Sequence, residues 1–320
     1  MQSFSYRKAA SVDDAFKGPG KFLAGGTTLI DLMKLDVEIP NSVVDVNGLP
    51  LDKIEKTKSG GLLIGAGVKN SDLAFHDEVK KDYPVLSKAI LSGASAQLRN
   101  KATTAGNILQ RTRCVYFRDI TKACNKRQPG SGCDAIAGFN RNLAVLGTSG
   151  KCIANNPSDM NVAMMALDAK IKLRSAQGER EVPFTEFYLL PGDTPEKETV
   201  IQPGELITAV ELNTPVKGTK QFYLKLRDRT SYEFALASAA VIANVKGGRI
   251  DYIRVAMGGI GAKPWRMTEV EKVLEGQTVS DSLFKKAAEV ALKDAKPQSM
   301  NGFKIELAKR CLIHALKQVT

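Results

Sequence analysis

The chain has 320 residues, 43% of them hydrophobic and 25% charged, a globular balance that excludes a disordered or fibrous protein and leaves room for two or three domains. Forty-six basic against 34 acidic residues give a net charge of +12, which suits an anionic ligand, nucleic acid or an acidic partner without choosing among them. One tryptophan and 6% aromatic residues supply few base-stacking platforms, and two histidines, His76 and His314, are too few for a histidine metal site or a proton-shuttle enzyme. No apolar run reaches the roughly 18 residues of a membrane span. The opening MQSFSYRKAASVDD lacks the apolar core of a secretory signal, so a chain without an export address of its own is expected.

In chain order, residues 21–24 read as a strand meeting a glycine pair, 29–35 carry helical spacing, and 42–46 form another apolar strand. Residues 61–68 predict a strand, and 84–98 one helix opened by proline in its first turn. Residues 110–156 show little periodicity in their first half, and six Lys/Arg fall between Arg111 and Arg127. Such a stretch reads as a long ordered loop, a kind that usually serves function. A helix over 160–167, strands over 170–174 and 206–212, and a domain boundary at 215–220 follow. Beyond it, 234–245, the Gly247-Gly248 turn and 250–257 predict a β-hairpin. Amphipathic helices over 281–295 and 303–319 close the chain, and the second spaces Leu307, Cys311 and Ala315 four apart, which makes Cys311 a core residue.

The sequence Lys21-Phe22-Leu23-Ala24-Gly25-Gly26-Thr27-Thr28-Leu29 sets two glycines between a strand and a helix. Glycine allows close backbone approach, so successive N–H groups can face one anion, and the threonines add hydroxyl donors. A diphosphate cradle and a plain strand-to-helix turn both fit this motif. It is neither GxGxxG nor GxxxxGK[ST], which disfavours nicotinamide and P-loop readings. A second segment, residues 102–108 with Thr103, Gly106 and Asn107, could offer amides and hydroxyls to the same ligand.

Cys114, Cys124, Cys133 and Cys152 are separated by nine, eight and eighteen residues. Disulfides are not favoured without a secretory signal, and zinc normally takes closely spaced cysteine pairs, which are missing. Widely spaced thiolates on a loop suit an iron–sulfur cubane, whose corners need ligands from different directions. Arg111, Arg113, Arg118, Lys122, Lys126 and Arg127 are expected to lower the thiol pKa values and offset the cluster's charge. A basic, zinc-stabilised nucleic-acid-binding protein is a rival reading of the same residues.

The segments AGGTTLIDLMK (24–34), QLRNKATTAGNI (97–108), PSDM (157–160), PGELITAVEL (203–212) and KLRDR (225–229) together resemble the flavin-binding subunits of the xanthine oxidase family of molybdenum hydroxylases along the whole chain. Within that family the cysteine-rich insertion is similar to that of bacterial periplasmic aldehyde oxidoreductases. The 4-hydroxybenzoyl-CoA reductase branch, with different cysteine spacing, is the alternative. The resemblance implies an α+β chain: a p-cresol methylhydroxylase-type FAD-binding domain, α/β in its N-terminal part, over 1–220. Its subdomains would be about 1–55 and 56–220 with an insertion at about 111–155, followed by a smaller α+β domain of the CO dehydrogenase flavoprotein type over 221–320.

It further implies that 21–29 hold the FAD pyrophosphate, with Thr103, Gly106 and Asn107 in the second cofactor segment. Arg113 would contact the flavin, Asp159 would accept from FAD hydroxyls, Ile207 would pack on the flavin ring, and Lys225 would approach its N1/C2 edge. The four cysteines would ligate a [4Fe–4S] cluster, and no side chain need act as nucleophile or base. Partners implied are a large molybdenum-cofactor subunit and a small subunit with two [2Fe–2S] clusters, forming a heterotrimer. Electrons from aldehyde oxidation would pass through iron–sulfur centres to FAD and an external acceptor. Location would be the periplasm by co-export with a signal-bearing partner, or alternatively the cytoplasm.

Overall fold

The computed structural model describes residues 1–320 and arranges them as three sheets with helices packed between. Strands β1 (Ser5–Lys8), β2 (Lys21–Leu23) and β3 (Ser42–Asp45) make a parallel sheet in the order β1-β3-β2. Parallel neighbours need a crossover, and the glycine turn with helix Leu29–Lys34 supplies the one between β2 and β3.

Strands β4 (Ile54–Lys56), β5 (Leu62–Gly65), β6 (Lys170–Ser175), β7 (Gly178–Pro183) and β8 (Leu206–Leu212) form an antiparallel sheet ordered β4-β5-β8-β6-β7. Between β5 and β6 the chain leaves this sheet for residues 66–169, and that excursion carries the second glycine segment and the four clustered cysteines. The third sheet, antiparallel, is ordered β12-β11-β10-β9, from β9 (Lys220–Leu226), β10 (Ala237–Lys246), β11 (Arg249–Gly258) and β12 (Trp265–Arg266). The predicted hairpin is β10–β11, and the α+β class holds.

Strand alternation joins the molecule's two large cores through β10. Ala240 and Ile242 face the core shared with helix Asp159–Ala166, while Ala239, Val241 and Ala243 face the core under helix Phe303–Val319. In that last helix Ala308, Cys311, Leu312, Ala315 and Leu316 are buried at helical spacing, so Cys311 is a core residue as expected.

Two expectations change. The helix over 84–98 is in fact two, Pro84–Ser92 and Ala96–Lys101. Ala94 takes φ +51° and the Ser95 hydroxyl accepts from the Leu98 amide, so a break and a new N-cap override the continuous apolar pattern. The long loop also contains two single-turn helices, Val115–Arg118 and Asp134–Ala137, each starting beside a cysteine.

Lys304 is wholly buried, and its Nζ donates to the carbonyls of Asn142 (3.3 Å), Leu143 (2.8 Å) and Gly259 (2.6 Å). Burial pulls its ammonium down to about 7, whereas three carbonyl acceptors matched to three N–H donors favour the charged form. This lysine therefore ties the insertion to the C-terminal helix. Lys304→Met should leave the Asn142 carbonyl without a protein donor and weaken the bonding of the Leu143 and Gly259 carbonyls, which keep the Asn301 and Asn155 side chains. The cost should be about 2 kcal/mol, read as a melting temperature lower by roughly 3–4 °C in a calorimetric scan. An unchanged melting temperature would show that the tie contributes nothing.

Candidate cofactor-binding site

The glycine turn after β2 lies directly on the second glycine segment. A Cβ on Gly25 would sit 2.2 Å from the Lys101 carbonyl oxygen, and Gly26 holds φ +74°. This approach brings two motifs that are about 75 residues apart in the chain into one wall. The backbone amides of Gly25, Gly26, Thr27 and Thr28 donate to no protein acceptor. Partly buried N–H groups seldom remain unpaired unless a ligand or water takes them, and four in succession form a nest for an anion. The Asn47 side chain props the turn from behind by donating to the Ala24 carbonyl at 2.8 Å.

A cleft of about 510 Å³ opens in front of these amides. Lys21, Phe22, Ala24 to Leu29, Thr103, Gly106 and Ile207 border it, while Leu23 turns away. Thr103 is less free than its sequence suggested, because its hydroxyl caps helix Thr104–Ile108 by accepting from Gly106 N at 3.1 Å. A smaller pocket of about 190 Å³ adjoins the cleft and shares Thr27, Thr28, Gly106 and Gln110 with it. Asn107, Arg113, Asp159 and Lys225 border this second space. Three side-chain atoms around it lack partners: Asn70 Oδ1, Arg99 Nε and Arg113 Nε. The site residues predicted from sequence thus divide between two joined spaces, with the free amides near their junction.

Asp159 and Lys225 meet in the smaller pocket. Lys225 Nζ lies 2.8 Å from Asp159 Oδ2 and 3.0 Å from the Ser92 carbonyl, and the Tyr223 hydroxyl donates to Asp159 Oδ1 at 2.6 Å. The helix break at Gly93–Ser95 leaves the Ser92 carbonyl without a helical partner, and Lys225 and Arg227 satisfy it. Both Asp159 oxygens are therefore engaged by protein donors. Asn107 is similarly committed, its Oδ1 accepting from Ser158 Oγ at 2.6 Å and from Gln110.

The cysteine insertion flanks the larger space, which Cys152 and Lys126 help to line. Cys114, Cys124 and Cys152 are buried in one small apolar cluster with Leu32, Phe117 and Ile153, and Cys133 packs against it. All four are free thiols. Cys124 and Cys133 pair across a short antiparallel bridge. No three cysteine, histidine or acidic side chains converge closely enough to hold a single metal ion.

The expected lowering of thiol pKa values by the six basic residues is corrected by the structure. Burial pushes Cys114 up to about 11, and also raises Cys133 and Cys152. The basic side chains mostly turn elsewhere. Arg113 and Arg118 pair with Asp31, and Arg127 donates to the carbonyls of Tyr116, Phe117 and Lys122. Of the six basic side chains, Lys126 is the one that acts against burial at a thiol, that of Cys152.

Arg111 and Lys126 instead belong to a chain of ion pairs along the cleft wall. Lys21 pairs with Glu38 at 2.5 Å, Glu38 with Arg111 at 2.5 Å, Arg111 with Glu198 at 3.0 Å, and Glu198 with Lys126 at 2.8 Å. Glu198 was not foreseen, because it lies between β7 and β8 in a stretch that carries Pro191, Pro195 and Pro203 and has no periodicity to aim it. Asn70, at the start of helix Asn70–Phe75, was missed as well, because no motif marks it.

An extended ligand with two phosphates near its middle and an aromatic ring system at each end fits two joined spaces with free amides near their junction, which is how a flavin adenine dinucleotide is built. The fold and site define an FAD-binding redox subunit. The profile of the FAD binding domain in molybdopterin dehydrogenase matches residues 2–215, and that of the CO dehydrogenase flavoprotein C-terminal domain matches residues 222–319. The chain belongs to this family of FAD-binding oxidoreductase subunits.

It is 51% identical to the aldehyde oxidoreductase FAD-binding subunit PaoB of Escherichia coli K12, covering 99% of this chain and 98% of that one. It is 30% identical to the glyceraldehyde dehydrogenase medium chain of Sulfolobus acidocaldarius, again over 99% and 98%. Among solved structures, carbon monoxide dehydrogenase from Hydrogenophaga pseudoflava shares the fold with a TM-score of 0.77 at 23% identity, over 99% of this chain and 96% of that one.

Proposed function

We propose that this chain is the FAD- and [4Fe–4S]-carrying electron-transfer subunit of a molybdenum-dependent aldehyde oxidoreductase. Its partners in a heterotrimer would be a large molybdenum-cofactor subunit and a small subunit with two [2Fe–2S] clusters. The observation that carries the reading is the run of unpaired amides at Gly25–Thr28 in a cleft that the cysteine insertion also lines. The identity to an aldehyde oxidoreductase subunit supports the substrate class. Bound FAD would supply reversible storage of two electrons, linking single-electron centres to an external acceptor.

The chain's own groups do the rest. The four amides hold the diphosphate, Ile207 offers an apolar wall, and Lys225 sets a cation at the smaller pocket. Arg113 borders the same pocket with one N–H unpaired. For the metal, the donor set favours iron–sulfur over zinc. A single zinc ion would draw its thiolates to within about 4 Å of one another, a convergence these side chains lack. A cubane instead binds each thiolate at a separate corner. The same reading assigns the complex to the periplasm, exported folded beside a signal-bearing partner, and cell fractionation tests that part.

The deciding measurement is a visible spectrum with metal analysis on the complex purified after co-expression of all three subunits. About one flavin and, beyond the partners' iron, about four irons per chain are expected. Stoichiometric zinc, no flavin, and DNA affinity that falls steeply with salt would establish the nucleic-acid-binding alternative instead.

A further inference from the structure

We infer that Tyr223 is a positioning residue for the flavin: through Asp159 it sets the charge that Lys225 presents to the smaller pocket. The inference rests on the reading of that pocket as part of the FAD site. Tyr223 does not border the pocket, while Asp159 and Lys225 do. Its side chain is buried behind them, only 6% exposed, on the same face of β9 as Lys225, two residues on. The hydroxyl donates to Asp159 Oδ1 at 2.6 Å, and the other carboxylate oxygen takes Lys225 at 2.8 Å.

Counting donors shows what this arrangement leaves free. An ammonium has three N–H groups. Lys225 gives one to Asp159 and one to the Ser92 carbonyl, so one remains, on a side chain that is 4% exposed and borders an open pocket. A buried donor aimed at a cavity calls for an acceptor from the ligand. How strongly it acts depends on how far Asp159 cancels it. With Tyr223 donating, the carboxylate charge is shared between two hydrogen-bonded partners, and Lys225 keeps part of its field for the pocket. Without that donor, the carboxylate faces Lys225 alone, and the field at the pocket becomes more negative. A cofactor that gains negative charge on reduction is then held less well in its reduced form.

The test is Tyr223→Phe, which removes the hydroxyl and keeps the ring that packs in the core. In the purified complex, flavin content should stay within twofold of wild type. The flavin's midpoint potential should shift downward, so that at a fixed reference-dye potential the oxidised-to-reduced ratio rises about fivefold. In an Asp159→Asn background the same change should leave that ratio unaltered, because the carboxylate charge through which Tyr223 acts is gone. A potential unmoved by Tyr223→Phe, or moved equally in both backgrounds, overturns the inference. Wild-type complex without flavin would instead overturn the reading of the pocket itself, so the two failures are distinguishable.

Discussion

Gly25→Val should leave the complex with less than about one-tenth of its flavin, a loss of at least about 1.4 kcal/mol in cofactor affinity. The cause is backbone against backbone. A Cβ at this position would stand 2.2 Å from the Lys101 carbonyl oxygen, 3.0 Å from its carbon and 3.1 Å from Ala102 Cα. None of those atoms is free to move, since the Ala102 amide bonds to the Leu98 carbonyl at 2.7 Å and the Ala102 carbonyl accepts from Asn70 at 2.9 Å. The glycine turn must therefore lift away from the second segment, taking the four unpaired amides with it. Two comparisons separate this from general damage.

Gly26→Ala meets the flexible Ile30 Cδ1 at 2.7 Å and adds a φ of +74°, a strain of roughly 1–2 kcal/mol, so flavin should fall by a smaller factor. Gly248→Ala, in the β10–β11 turn with nothing within 4 Å of the added carbon, should lower stability and spare flavin. Flavin absorbance per chain after gel filtration reads all three. Full flavin in Gly25→Val would remove the cradle from the argument.

The same contact explains which parts of the site the sequence could disclose. Gly25 and Gly26 announced themselves because glycine between strand and helix signals close approach, but their partner, the Lys101 carbonyl, is a backbone atom that no residue type marks. The family resemblance singled out Lys225, and alternation along β9 puts Tyr223 on the same face. Nothing in the sequence said that Asp159 would arrive there on the first turn of a helix 64 residues away. The cysteines were legible as a set, and the arginines around them as a charge excess, yet that excess was read with the wrong consequence. Spacing cannot tell that Arg113 and Arg118 converge on Asp31, or that Arg111 reaches Glu38 and Glu198. Local composition therefore promised electropositive thiols, whereas long-range pairing removed the charge and burial decided the outcome. The divided helix at Ala94 follows the same logic, because a tertiary demand for a free carbonyl near Lys225 overrides an apolar pattern that would run on.

Cys124→Ser should empty the insertion of iron, from about four atoms per chain to well under one, while flavin remains. Serine keeps the size of the side chain but is a poor ligand for iron, and the other three thiols are fixed on separate pieces of backbone. Cys124 is tied by its bridge to Cys133 and by its amide's bond to Ser131 Oγ at 3.1 Å, so no neighbouring thiol can slide into its place. Flavin should persist because the cradle amides belong to the turn after β2, whose hydrogen bonds do not pass through the cysteine cluster. Metal binding contributes to folding, so the insertion should also become the first segment cleaved in limited proteolysis.

Cys311→Ser supplies the control for a cysteine lost elsewhere. That thiol lies 1% exposed on the C-terminal helix, and burial pushes its pKa up to about 12. Its replacement should cost about 1–3 kcal/mol for burying a hydroxyl and leave iron untouched. Were Cys124→Ser to keep its iron, or both variants to lose it equally, the four scattered cysteines would not be its ligands, and their meeting beside the cleft would need another explanation.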